Sequence, residues 1–206
     1  MQRFILRGNV QRFRDLLERA TSDSEKARLR QLLEEAEEEL AFGTDLWRRN
    51  CSHLGISDVL GSYLENELEQ IVSETHAAYG SLQVYDHRGG ALYLIAQINF
   101  PVAFSRGFAR VARGDGTICA DTLARGRNVL VSDIRDGQHQ DLRDFSEATG
   151  IRAVHSIRML SPAGFVTGVF STHHITVKSA SEEEHRLYEN CAHRGGLAVA
   201  NHFGFS

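Results

Sequence analysis

An excess of basic residues is missing from this chain. Lysine and arginine number 23 against 27 aspartate and glutamate, for a formal net charge of −4. Nucleic-acid binding needs a basic face to meet phosphate, so no nucleic-acid partner is expected. Cysteine is scarce. Cys51, Cys119 and Cys191 are too few and too scattered for a disulfide framework, and the natural compartment is a reducing cytoplasm. No apolar run approaches the ~20 residues of a membrane span. The opening Met1-Gln2-Arg3-Phe4-Ile5-Leu6-Arg7 has too short an apolar run for a secretory signal. No membrane association is therefore expected. What is present is ordinary: 42% hydrophobic and 24% charged residues in 206, enough for one domain with a real core and an accessory segment.

The most informative stretch runs from Gly114 to Arg127. Gly114 and Gly116 allow a turn with positive φ. Thr117 can cap a short helix through its hydroxyl, and Gly126 stops that helix. The helix then points its free amides and positive dipole end at whatever lies above. This is how a fold presents a small binding cavity.

Before it, residues 9 to about 47 are the most helical part. Asn9 is expected to cap a first helix with Val10, Phe13, Leu16 and Leu17 on one stripe. Ser24 or Asp23 is expected to cap a second, with Leu29, Leu32, Leu33, Ala36 and Leu40 apolar and Glu34 to Glu39 forming an acidic face. Together they predict a helical hairpin, packed on its own domain, on a twin copy or on a docking partner. Gly43-Thr44 is expected to interrupt the second helix. A third is predicted from about Ser57 to Ala78, with Val59, Leu60, Tyr63, Leu64, Leu68, Ile71 and Val72 inward.

The period then falls to two. Leu82 and Val84, then Leu92, Leu94, Ala96 and Ile98, predict two strands joined at Asp86-His87-Arg88-Gly89-Gly90. Pro101 to Ala112 predicts a helix with Phe104, Phe108 and Val111 on one side. After the glycine loop and its helix come a strand at Asn128 to Ile134, a polar loop, and a short helix at Asp141 to Ala148 closed by Gly150. A second hairpin joins Ile151–Leu160 to Phe165–His174. A last helix spans Ser181 to Ala200, with Ser181 as cap and Glu182 to Glu184 in its first turn. Paired strands with a helical insertion predict an α+β domain around an antiparallel sheet. The cavity would lie between that sheet and the middle helices.

These pieces resemble a GAF domain, the small-molecule sensory module of signalling proteins, over Gly80 to about Ala200. The matching runs are Gly80-Ser81-Leu82-Gln83-Val84-Tyr85-Asp86, Leu94-Ile95-Ala96-Gln97 with Phe100-Pro101, and Gly116-Thr117-Ile118-Cys119 with Leu123 and Gly126. Val131-Ser132-Asp133-Ile134, Gly150-Ile151-Arg152-Ala153-Val154-His155-Ser156 and Gly168-Val169-Phe170-Ser171-Thr172-His173 complete them. The last is typical of the versions in bacterial two-component sensor histidine kinases. Three positions depart from the pattern: Ala120 replaces a common Gly, Asp121 a small residue, and Arg158 a Pro.

The resemblance implies a GAF-like central antiparallel sheet with helices on both faces, in residues 51–206, preceded by the helical hairpin of residues 1–50. It implies a cytoplasmic signalling role. The domain would bind a small molecule, or serve as a dimerisation platform without one, and signal through its terminal helices. The expected assembly is a homodimer, with a histidine kinase or response regulator as partner. The expected site residues are Phe104, Phe108, Thr117, Cys119, Asp121, Ser156, Arg158, Ser171 and His173.

Alternatives stay open at individual residues. Cys119 in a first helical turn can have a lowered thiol pKa. Free methionine sulfoxide reductases share this fold and use such thiols, but need a second cysteine nearby, whereas Cys51 and Cys191 are distant in sequence. The plain alternative is a small residue packed behind the loop. No enzyme activity is expected. His173 and His174 point to opposite faces of a strand and cannot chelate one ion. His173 could floor the cavity or ligate a haem, as in gas-sensing relatives. Cys51-Ser52-His53 and Cys191-Ala192-His193 look like ligand pairs, but residues two apart on a helix diverge, so no metal is expected. A bilin is disfavoured because Ala120 follows Cys119 and Ala192 follows Cys191 where light-sensing relatives have His. Asp115, Asp121, Asp133 and Asp136 surround the cavity or make turns and caps. Ser156, Arg158 and Ser171 are polar residues in apolar strands, contacting a ligand or facing solvent.

Overall fold

The computed structural model describes residues 2–136 and 142–205. The chain opens with two antiparallel helices, α1 (Gln2–Arg19) and α2 (Asp23–Leu54), tied across by an exposed Arg14–Glu37 ion pair at 2.6 Å. Asn9 lies inside α1 rather than at its cap, since residues 2–8 contain no proline and only one glycine to halt a helix. The α2 cap is Ser22, whose hydroxyl accepts from the Glu25 amide, in place of the expected Ser24 or Asp23. Gly43-Thr44 does not interrupt α2, which runs 32 residues. A helical glycine costs ~1 kcal/mol. Burial of Leu46 and Cys51 and the hydrogen bonds of Asn50 to the carbonyls of Leu94 (2.8 Å) and Ala109 (3.3 Å) outweigh it. The boundary between residues 50 and 51 falls within this helix.

Helix α3 (Asp58–Glu74) is capped by Ser57. Leu60, Leu64, Leu68, Ile71 and Val72 are buried as expected, whereas Val59 is 81% exposed and Tyr63 36%. Those two sit on the flank the sheet does not reach. Next come β1 (Tyr79–Asp86) and β2 (Ala91–Ile98). The predicted helix over 101–112 is instead α4 (Val102–Gly107) followed by β3 (Arg110–Ala112). Val111 pairs with Leu92 as a strand residue and packs with it and Leu123. The apolar spacing Phe104, Phe108, Val111 fits a helix, but β2 has an open edge whose amides and carbonyls need partners, and β3 supplies them.

The rest follows the predicted order: α5 (Ile118–Arg125), β4 (Val129–Val131), α6 (Arg143–Thr149), β5 (Ala153–Leu160), β6 (Val166–His174) and α7 (Glu182–Phe203). Asp141, the expected start of α6, lies outside the described residues. Ser181 caps α7 in a reciprocal box with Glu184. The strands form one sheet in the order β3-β2-β1-β6-β5-β4, and every neighbouring pair is antiparallel.

Alternation along the central strands divides the molecule into two layers. Leu82, Val84, Ile157, Met159 and Phe170 face α3, α7 and the end of α2, and build the main core with Leu64, Leu68 and Tyr188. The intervening residues face α4, α5 and α6, where the apolar groups are smaller. Helices α3 and α7 are clamped together by Arg194, which donates to both carboxylate oxygens of Glu67 (2.7–3.1 Å) and to Gln70. Among the described residues no helix is long and apolar enough to cross a membrane.

Candidate functional site

The glycine loop delivers α5 to the second layer as its sequence predicts. Gly114 (φ 95°) and Gly116 (φ 68°) take left-handed conformations. Asp115 accepts from the Ala112 amide at 2.7 Å, which fixes the turn. The Thr117 hydroxyl accepts from the Ala120 amide at 3.0 Å, and Gly126 ends the helix with φ 60°. This places Thr117, Ile118 and Cys119 against the sheet. They form one wall of a cavity whose floor is Ser81, Gln83, Val154 and His173 and whose cover is Phe104, Phe108, Ile134, Leu142 and Phe145.

Aromatic rings fill most of that space. Tyr79 stacks on Phe100 (centroids 4.9 Å apart), Phe100 on Phe104 (3.6 Å) and Phe104 on Phe108 (4.2 Å). Phe145 leans on Phe104 at 5.4 Å. The free volume left is about 30 Å³, the room of one or two waters. A haem or a bilin does not fit among these rings as they stand.

His173 is the least satisfied group at the site. It is 5% exposed, and neither ring nitrogen has a hydrogen-bond partner. Its ring stands edge-on to Phe100 and Phe104. Burial pushes its pKa down to about 3, with His174 and His155 adding to the effect, so the imidazole is neutral at physiological pH. His174 points to the opposite face, 5.2 Å from His155, as strand alternation requires.

The other predicted site residues divide. Phe104, Phe108, Thr117, Cys119 and His173 line the cavity. Ser156 and Ser171 lie behind Cys119 and bond to each other at 2.5 Å. The Cys119 thiol is 3.3 Å from the Ser171 oxygen and 3.8 Å from that of Ser156, so these strand polar groups satisfy one another. Asp121 pairs with Arg125 at 2.8 Å on the outer side of α5 and does not line the cavity. Arg158 lies further along β5, its amide held by the Asn128 side chain at 3.1 Å, beside a separate surface groove. Asp133 accepts from Arg152 and from the Arg135 amide, and the guanidinium of Arg152 holds its carboxyl below the usual range. It too serves structure rather than the cavity.

Burial pushes the Cys119 thiol up, against the lowering hydrogen bonds of Ser171 and Ser156. The lowering that a helix start can give does not materialise, because desolvation of a thiolate outweighs the partial charge of a helix of eight residues. Cys51 and Cys191 belong to the core on the far side of the sheet. All three cysteines are buried, and none is in a disulfide. Native Cys119 is therefore expected to resist iodoacetamide over a period in which the urea-unfolded chain is fully alkylated, read by mass spectrometry. Rapid native labelling at Cys119 would contradict this geometry.

Sequence reasoning overlooked Gln83, Ser81 and Phe145. Gln83 was discoverable: it is a polar residue inside an apolar strand, and alternation puts it on one face of β1 with Ser81. Its amide nitrogen donates to the Phe108 carbonyl at 3.3 Å, and its side-chain oxygen is buried without a partner.

Residues 60–199 match the family model described as GAF domain. The comparison with curated proteins finds no match. Among solved structures, the chain is similar to the GAF domain of a phosphoenolpyruvate-protein phosphotransferase from Acinetobacter, at 14% identity and TM-score 0.60, covering 79% of this chain and 95% of that one. It is similar to a domain of a protein given as a two-component sensor histidine kinase from Sinorhizobium meliloti 1021 (15%, 0.59, 72% and 96%). It is also similar to a type II free methionine-R-sulfoxide reductase from Thermoplasma acidophilum (14%, 0.55, 69% and 96%). At these identities the likeness is one of fold.

Proposed function

Because this chain belongs to the GAF domain family, we propose that it is a non-catalytic sensor module that binds a small molecule in the cavity beneath α4, α5 and α6. In this reading it works in the cytoplasm as a homodimer, and its terminal helices pass the signal to a histidine kinase or response regulator. The observation that carries the reading is the alternation of β1, β5 and β6. Gln83, Val154 and His173 meet the cavity, while their immediate neighbours Leu82, Val84, His155 and Thr172 meet the layer of α3 and α7. A strand that shifts to admit a ligand moves both sets of side chains. The packing of α3 and α7 is then the readout of cavity occupancy.

A thermal-shift screen of small molecules, joined to native mass spectrometry, tests the proposal. A ligand at a hundredfold excess over its Kd adds about 2.7 kcal/mol, roughly 5–10 °C in Tm for a domain of this size. At least one stabilising compound and a dimer mass are expected. A monomer that no compound stabilises would overturn the reading.

A further inference from the structure

We propose that the cavity selects an elongated, uncharged aromatic ligand that is polar at both ends: a hydrogen-bond donor at one end, and a neutral group that can donate or accept, such as a carboxamide, at the other. This rests on the reading of the cavity as a ligand site.

The argument begins with charge. Among the described residues, no Asp, Glu, Lys or Arg lines the cavity. An ionic ligand would lose its hydration there without gaining a counter-ion. The polar demand comes from two groups. Gln83 is held by its amide nitrogen on the Phe108 carbonyl, which leaves its oxygen as an acceptor with no donor. Neutral His173 offers one N–H and one bare nitrogen, both without partners. Buried groups of this kind are costly to leave unpaired.

These two demands are far apart. In the β1–β6 register, His173 stands opposite Tyr79 and Gln83 opposite Val169, four residues along the sheet, or about 13 Å between backbones. The aromatic column follows the same line. It starts at Tyr79, beside His173, and ends at Phe108, whose carbonyl holds Gln83. The cavity is thus a mostly apolar slot, with Ser81, Thr117 and Cys119 along its walls and an unpaired polar group at each end. A flat ring fits the slot, an O–H or N–H fits Gln83, and a carboxamide meets one edge of the imidazole, its N–H donating to the bare nitrogen or its oxygen accepting from the ring N–H. The present volume of about 30 Å³ is too small for a six-membered ring, so entry requires Phe104 and Phe108 to swing outward. They are carried by and just beyond α4, a helix of six residues with no side-chain cap.

The probe is 4-hydroxybenzamide, titrated into the full chain and followed by the ring nitrogen resonances of His173 and the side-chain amide of Gln83. Two molecules of similar shape serve as controls: 4-hydroxybenzoate, which carries a charge, and p-xylene, which has no polar end. The expected result is a shift at both residues, with affinity at least ~10-fold above either control. His173→Phe is expected to weaken the amide ~10-fold while changing p-xylene less than about threefold. The wild-type resonances keep the test decisive if that variant does not fold. Tighter or equal binding of 4-hydroxybenzoate overturns the exclusion of charge. Equal binding of p-xylene overturns the polar ends and leaves the sensor reading standing. If none of the three shifts His173, the orphaned atoms are satisfied by water and the ligand class is wrong. The broader thermal-shift screen then decides the sensor reading separately.

Discussion

Gly196→Ala is expected to lower the stability of the fold by about 3 kcal/mol, roughly 6–12 °C in Tm. A Cβ at this position of α7 would stand 2.2 Å from the Leu160 carbonyl oxygen, 2.7 Å from its nitrogen and 2.9 Å from its carbonyl carbon. These are backbone atoms of β5, which cannot rotate away as a side chain would. Relief requires α7 to lift from the sheet, and that opens the main core around Tyr188 and Val199. The ~1 kcal/mol that alanine gains in helix propensity does not compensate. The neighbouring glycine is the control. A Cβ at Gly195 would meet Met159 Sδ at 2.7 Å, the flexible part of an adaptable side chain. Gly195→Ala is expected to change stability by less than about 1 kcal/mol. Urea denaturation of both variants measures the difference, and equal midpoints would refute the close-approach argument.

Acid is expected to unfold the protein through its buried histidines before most carboxylates titrate. Burial holds His173 down to about 3 and His174 down to about 4, and it lowers His155 as well. On the core side Lys178 opposes protonation of His174 and His155, and Glu184 favours it. The folded chain thus refuses protons that an unfolded histidine accepts near pH 6.5. Stability is full above that value and is lost as pH falls toward the folded values. Between pH 7.5 and 4.5 the loss is about 2–3 kcal/mol for each of His173 and His174. His173→Phe is expected to remove one such contribution and flatten the profile. The comparison is chemical denaturation at the two pH values. A wild-type stability unchanged down to pH 4.5 would show that these rings are not buried as neutral groups.

The parts of the fold readable from sequence are those decided by local chemistry. Thr117 and Ser181 cap their helices, Gly126 and Gly150 end theirs, and period-two alternation finds β1, β2, β5 and β6. Two of the larger failures share a cause, which is that a distant partner decides them. Helix α2 passes through Gly43 because Asn50 reaches carbonyls more than forty residues away. Strand β3 forms where spacing suggests helix because β2 needs a neighbour. At the site, the aromatic lining and His173 were legible as an apolar cluster beside a strand histidine. Gln83 was legible as a polar residue in an apolar strand, but its place at the opposite end of the cavity from His173 was not, because that depends on the register of β1 against β6. Ser156 and Ser171 looked like ligand contacts because their mutual bond, and their place behind Cys119, appear only when β5 and β6 are paired. Asp121 looked close to the cavity because it follows Cys119 by two residues, but a helix turns it outward to Arg125.

Helix α2 remains unbroken over 32 residues, a rod of about 48 Å. One end is pinned by Asn50 to the backbone beside the cavity cover, at Ala109 and at the facing strand residue Leu94. The other end holds the turn into α1. Such a rod is a lever with its fulcrum at the sheet. A tilt of about 5° at Asn50 would swing the far tip by about 3–4 Å over the intervening turns. The side-chain amide of one asparagine would then be the bearing through which a rearrangement near Phe108 reaches the turn between α1 and α2.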